Sequence, residues 1–234
     1  MKKYLISYGD AGYASQKQFL QESATASAFF DEVKLFSPGD IETDFVNQVG
    51  ETLLSRKGAG YWLWKPYIVR KVLSDIEQND ILVYCDVSCV INPAGKARFE
   101  EYVSMLLSAE TGTLDFELPL KESEFTKKEV FDYFNSSGEV LNSNQLLTSV
   151  VLLRKCEHTT MLVDEWYEAA CDNPFLFTDE LLVKQYENFE INHYDQSVFS
   201  VIRKEFGANI IPDETRFMDF SADKKAYPFW SAVT

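Results

Sequence analysis

A chain of 234 residues is long for one ordinary domain and short for two, so a single domain over residues 1–234 is the simplest expectation. With 46% hydrophobic and 25% charged residues it has the makings of a substantial core. The formal charge of −15, with basic residues scattered in pairs such as Arg56-Lys57 and Arg154-Lys155, excludes a nucleic-acid partner and tight docking on anionic membranes, while leaving room for a small anion in a local positive pocket.

The expected elements alternate between strand and helix. Residues 4–7 read as a buried first strand that ends in the turn Gly9-Asp10. Ser15 with Gln18 forms a capping-box pattern that predicts a helix toward Ala28. A second strand falls within residues 29–36, closed by Ser37-Pro38-Gly39-Asp40, and a helix within 44–55. Gly58-Ala59-Gly60 is a break. Pro66 suits the first position of a helix whose Val69, Val72, Leu73 and Ile76 recur at helical spacing. Residues 81–85 are almost wholly apolar, as in the centre of a parallel sheet, and run into Asp86.

Further on, 98–108 reads as helix and 112–116 as strand. Thr126 and Glu129 suggest a capped helix over 127–134. Residues 142–144 are loop-like and 146–153 an apolar strand. Helices are expected over 159–170, with Leu162, Trp166 and Ala170 on one face, and over 196–205, with Val198, Val201 and Ile202 inward. The late aromatics Phe217, Phe220, Tyr227, Phe229 and Trp230 suit a tail packed on the domain. This pattern predicts an α/β fold with helices on the faces of a sheet.

The four cysteines, at 85, 89, 156 and 171, form no CxxC pair and read as buried free thiols in a reducing compartment. The apolar run after Met1-Lys2-Lys3 stops at Ser7, too soon for a signal peptide, and no stretch is long enough to span a membrane. A cytoplasmic protein is expected, with a peripheral seat at the inner face of the membrane left open.

Three segments carry candidate chemistry. In Tyr84-Cys85-Asp86-Val87-Ser88, a central strand ends in a carboxylate. Ligands of open α/β sheets bind beyond the carboxyl ends of strands, and an Asp there can hold a divalent cation or simply cap the next turn. In Gly58 to Tyr67, the glycines permit close approach and Tyr61 and Trp62 can stack on a base or sugar. Lys65 lies before a helix N-terminus, a place that suits a diphosphate; an aromatic core anchor with a solvated lysine is the plainer alternative. In Asn192-His193-Tyr194-Asp195-Gln196-Ser197, His193 can ligate a metal. Asp195 can act as a base, orient a sugar hydroxyl, or cap the helix from Gln196. His158 reads as structural or exposed. There is no P-loop, GxGxxG, HExxH or GxSxG motif. A glycosidase carboxylate pair would be invisible at this level.

In this order, GYWLWKPY (60–67), VYCDVSCVIN (83–92) and HYDQS (193–197) resemble a family of small bacterial and viral GT-A-type nucleotide-sugar glycosyltransferases. The opening YLISYGD (4–10), and 145–154 followed by Trp166, fit as well, so the resemblance covers most of residues 4–206. It implies one GT-A domain with a mixed, mainly parallel sheet flanked by helices. The implied reaction moves a hexose-type sugar from a nucleoside diphosphate sugar (a UDP- or GDP-sugar) to a glycan or lipid-linked glycan hydroxyl in surface polysaccharide synthesis.

By the same likeness Ser7, Tyr8 and Gly9 would line the nucleotide pocket, and Lys65 would hold the diphosphate. Asp86 would open a DxD-type motif for manganese or magnesium. Ser88 replaces the second aspartate, which leaves metal binding weaker, completed by His193, or absent. Tyr61, Trp62, Ser88, Gln145 and Gln196 would contact substrate, and Asp195 would be the catalytic or sugar-orienting carboxylate. The rival readings are an inactive carbohydrate- or nucleotide-binding module on the same fold and a nucleotidyltransferase. The second is disfavoured because residues 7–13 lack Lys and Arg.

Overall fold

The computed structural model of the chain describes residues 1–216 and 226–231. Strand β1 (Lys3–Tyr8) leads to helix α1 (Ala14–Ser27), strand β2 (Glu32–Phe36), helix α2 (Thr43–Val49), the short turn α3 (Gly58–Tyr61), helix α4 (Trp64–Asp75) and strand β3 (Ile81–Cys85). Next come β4 (Val90–Ile91), α5 (Lys96–Ser108), β5 (Thr113–Lys121), the short helices α6 (Glu122–Phe125), α7 (Lys128–Phe134) and α8 (Gly138–Asn142), then β6 (Asn144–Leu146) and β7 (Val150–Arg154). Helices α9 (Glu157–Asp172) and α10 (Tyr194–Phe206) precede β8 (Ile210–Pro212) and β9 (Phe229–Trp230).

The main sheet has the order β2-β1-β3-β7-β5-β6, with β8 also on β5. β1 runs parallel to β2 and β3, β7 antiparallel to β3 and β5, β6 antiparallel to β5, and β8 parallel to β5. Thus β1, β2, β3, β5 and β8 share one direction and β6 and β7 oppose it, the mixed, mainly parallel sheet that the sequence implies. Every residue of β3 is buried, because both faces are covered. Leu82 and Tyr84 pack toward α4, α9 and α10, where Ile68, Trp166 and Phe199 fill one core. Ile81, Val83 and Cys85 face α1 and α5, where Leu20, Phe99 and Tyr102 fill the other. This period-two alternation places successive strand residues in opposite layers.

Several local expectations give way to longer-range contacts. Helix α1 starts at Ala14 with Tyr13 as its cap residue, so Ser15 lies inside the helix; Asp10 instead caps the preceding turn by accepting the Gly12 N–H at 2.8 Å. The 44–55 helix ends at Val49 and continues as a tighter turn over Gly50–Leu54. The apolar run 146–153 is two strands, β6 and β7, separated by Leu147, Thr148 and Ser149. Glu129 does not complete a capping box: it accepts the backbone N–H of Val183 at 3.2 Å and Gln185 Nε2 at 2.8 Å. The four thiols are free, with Cys171 half-buried and the other three buried. Phe229 is buried and pairs, through β9, with β4, so this part of the tail packs on the domain; Phe217 and Phe220 lie outside the described residues.

Beneath the sheet end, Arg203 of α10 and Asp115 of β5 form a fully buried ion pair, 2.6 Å from Nη1 to Oδ1. Arg203 Nη2 also donates to the carbonyls of Leu146 and Leu147 at 3.1 and 3.0 Å, which fixes the split between β6 and β7. Removing one member of such a pair leaves an uncompensated charge away from water. Arg203→Met is expected to lower unfolding stability by about 3–5 kcal/mol in urea denaturation; a loss under about 1 kcal/mol would show that the pair contributes little.

Candidate active site

Three distant segments meet beyond the carboxyl ends of β1 and β3. Lys65 lies in the first turn of α4, whose cap residue is Leu63, so Pro66 is the third helical residue rather than the first. Proline is tolerated there because that N–H has no partner within the helix. A cation in a helix's first turn opposes the helix dipole and needs compensation. Lys65 finds it in two carboxylates: its Nζ lies 2.6 Å from Asp195 Oδ2 and 3.3 Å from Asp86 Oδ1. The Lys65 side chain is only 2% exposed, so this ammonium is not a solvated charge.

Asp195 is the second residue of α10, capped in turn by His193, and so is not itself the N-cap. Its Oδ2 also accepts the Thr148 hydroxyl at 2.9 Å. Asp86 follows β3 directly and is partly open, at 26% exposure. Its Oδ1 accepts the Tyr84 hydroxyl at 2.5 Å, and its backbone N–H donates to Ser149 O. Burial pushes the Lys65 ammonium down, but attraction to Asp195 and Asp86 outweighs it and holds the pKa above the ordinary lysine value. Burial pushes Asp195 up from the usual carboxylate range, against the pull of Lys65.

Beside this charge cluster lies a cleft of about 360 Å³, lined among others by Tyr8, Gly9, Arg56, Trp62, Asp86 and Ser88. Tyr8 and Trp64 stack at 3.9 Å on its wall. Past that wall an apolar slot of about 280 Å³ opens between Pro38, Ile41, Val46 and Leu53. On the other side a shallower hollow of about 210 Å³ shares Val87 and Ser88 with the cleft.

The segment between Arg56 and Trp64 is wound the wrong way. Gly58, Ala59, Gly60, Tyr61 and Trp62 have successive φ values of +56°, +48°, +100°, +54° and +59°. For Ala59, Tyr61 and Trp62 each such conformation costs roughly 1–2 kcal/mol. A Cβ on Gly60 would sit 2.6 Å from Leu53 O, so that glycine is required by space as well as by φ. The turn is clasped from outside by Asp179, whose carboxylate takes Lys57 Nζ at 2.9 Å, Tyr61 OH at 3.3 Å and Tyr194 OH at 2.9 Å. Trp62 stacks on Tyr194 at 5.1 Å.

Of the residues singled out by sequence, Asp86, Lys65 and Asp195 come together, and Tyr8, Gly9, Trp62 and Ser88 line the cleft. Ser7 is fully buried and off the cleft. Tyr61 turns to Asp179. Gln145 is also fully buried: its Oε1 accepts from Gln196 Nε2 at 2.8 Å, and its Nε2 donates to Phe125 O and Thr126 Oγ1. His193 stacks on Phe125, and its Nδ1 lies 2.8 Å from Gln145 Oε1. Its link to the charge cluster is indirect: it runs through Gln196, whose Oε1 accepts the Thr148 N–H at 3.4 Å, and through the Thr148 hydroxyl to Asp195.

Among the described residues, no three His, Cys, Asp or Glu side chains gather as a metal cage. Asp86, 26% exposed, and Ser88 both line the cleft and offer oxygen donors of the kind that magnesium and manganese take. Arg56, Thr148 and Asp179 are site residues the sequence did not single out. The one available signal was the polar Thr148-Ser149 interrupting an apolar run.

No family model matches the chain, and no curated protein matches it in sequence. Solved structures do match its shape. A glycosyltransferase involved in the glycosylation of the major capsid of PBCV-1 aligns over 100% of this chain and 95% of its own, with TM-score 0.57 and 12% identity. The galactosyltransferase LgtC, in complex with donor and acceptor sugar analogs, aligns over 99% and 87%, with TM-score 0.51 and 12% identity. The bifunctional glycosyltransferase WbbM, in apo form, aligns over 100% of this chain and 46% of its own, with TM-score 0.53 and 9% identity. The fold is that of GT-A glycosyltransferases.

Burial drives the His193 pKa down from 6.5 to about 4, with the positive charge of Arg216 acting the same way. A folded value below the unfolded one means that the stability from neutral His193 is complete above about pH 6.5. It is lost as pH falls toward 4, up to about 3 kcal/mol in all. Denaturation curves at stepped pH are expected to show His193→Gln losing less stability than the parent between pH 6.5 and 4.5. Parallel losses would place the titration elsewhere.

Proposed function

We propose that the chain is a single-domain glycosyltransferase that moves a sugar from a nucleoside diphosphate sugar to a hydroxyl of a glycan or lipid-linked glycan. The observation that carries this reading is the Asp86–Lys65–Asp195 cluster at the carboxyl end of β3, beside a cleft of suitable volume, on a fold shared with glycosyltransferases. The apolar slot behind Tyr8 and Trp64 suits a flat base, and the cleft before it suits phosphates and sugar.

In the reaction the bond from the anomeric carbon to the diphosphate breaks, and its electron pair leaves with the phosphate. The acceptor oxygen bonds the same carbon, and its proton passes to the departing diphosphate. Positive charge builds up at the anomeric carbon meanwhile. Asp195 is held in place by Lys65 and Thr148, which supports a charge-stabilising role over proton abstraction. Asp86 and Ser88 would be the protein's ligands to a manganese or magnesium ion, whose chemistry is to neutralise the departing diphosphate. Gln196, nearly buried and donating to Gln145, would steady the first turn of α10 under the sugar.

No described helix is long and apolar enough to cross a membrane. We place the enzyme in the cytoplasm and its reaction in surface polysaccharide synthesis; the LgtC and WbbM likenesses support glycosyl transfer only through the shared fold.

The test is release and transfer of sugar from a panel of UDP- and GDP-sugars, followed by mass spectrometry. Asp195→Asn is expected to lower kcat by about 100-fold or more, with donor affinity changed only a few-fold. Donor binding without sugar release by the parent protein would favour the inactive binding module instead.

A further inference from the structure

The cleft needs a positive charge that Lys65 cannot supply. Lys65 is buried and already shared by two carboxylates, so the three groups together are net negative. Lys57 is paired with Asp179. Lys17 is spent on Gly9 O, Phe36 O and Ser37 Oγ at 3.3, 3.0 and 2.6 Å. The acidic groups on the cleft wall are Asp10 and Asp86, and Arg56 is the basic one among the described residues. Its side chain is exposed, and no ion pair or hydrogen bond to another described residue engages it.

We propose that Arg56 is the residue that receives the donor's diphosphate, a role the sequence resemblance had implied for Lys65. The left-handed turn explains its placement. Arg56 O accepts the Ala59 N–H at 3.3 Å, which ties Arg56 to the start of the reversed winding. Gly58 and Ala59 line the cleft beside it, and a Cβ on Gly58 would strike the Trp62 ring at 2.3 Å. The missing Gly58 side chain thus makes room for the Trp62 ring, which lies on the same cleft wall as Arg56. A guanidinium offers two parallel N–H donors to phosphate oxygens, which an ammonium cannot match in geometry. Its opposite charge also offsets the field of Asp10 and Asp86, which would otherwise repel a diphosphate.

This inference rests on the nucleotide-sugar reading, and its test separates the two. Calorimetry would compare UDP and GDP with their monophosphates and nucleosides, with and without manganese, on the parent protein, Arg56→Ala and Arg56→Lys. In the parent, affinity is expected to rise with the number of phosphates. Arg56→Ala is expected to weaken the diphosphate by about 10- to 100-fold and to leave the nucleoside unchanged. Arg56→Lys should recover part of the loss. Because the side chain is exposed, the melting temperature without ligand should hold. A diphosphate affinity unchanged in Arg56→Ala, or an equal loss for nucleoside and diphosphate, overturns the role of Arg56 while the donor reading stands. A parent protein that binds none of these compounds overturns both.

Discussion

One buried ammonium sets the conditions for the rest of the site. Lys65 reaches two carboxylates carried on different elements, Asp86 after β3 and Asp195 on α10. Removing the Lys65 ammonium and the Asp195 carboxylate from water is costly, and attraction among the three groups offsets the cost only when the geometry is good. The fold supplies that geometry by pairing β1 and β3 in parallel, so that their carboxyl ends open onto one place, and by aiming the first turns of α4 and α10 at it. The Tyr84 and Thr148 hydroxyls donate to the same two oxygens that Lys65 meets, Asp86 Oδ1 and Asp195 Oδ2. Asp195 gains from the helix dipole at its position and Lys65 does not, so the lysine is held there by its partners rather than by its helix.

The second constraint is the reversed turn. A run of five residues with positive φ would unwind if left to local preference. Gly58 and Gly60 lower the cost, and Asp179 on the segment after α9 holds the turn through Lys57, Tyr61 and Tyr194. Backbone strain of this kind persists where surrounding contacts over-determine it, often at ligand sites. Here the strained segment connects the cleft wall, through Trp62, to the helix that carries Lys65.

Much of the architecture could be read from the chain. β3 was legible because five buried residues in a row leave few alternatives, and α9 and α10 because their apolar residues keep helical spacing. Caps were read less well. Ser15, Pro66 and Asp195 have the right chemistry for helix starts, but each lies one to two residues inside. For Asp195 the reason is tertiary: its carboxylate is claimed by Lys65. The site was legible as three segments that ought to meet. The roles within it were not, since burial decides them: Lys65 and Gln145 look available in sequence and are enclosed in the fold. Arg56 looked like one more scattered surface pair, and nothing local pointed to Asp179, far along the chain.

The most direct test of this account is the charge state of Lys65, followed by NMR of lysine Nζ groups enriched in nitrogen-15, with Lys65→Arg assigning the signal. The Lys65 ammonium is expected to stay protonated beyond pH 10.5 and to exchange slowly with water. A Lys65 signal that titrates below that value, or exchanges as fast as the surface lysines, would contradict a buried cation shared between Asp86 and Asp195.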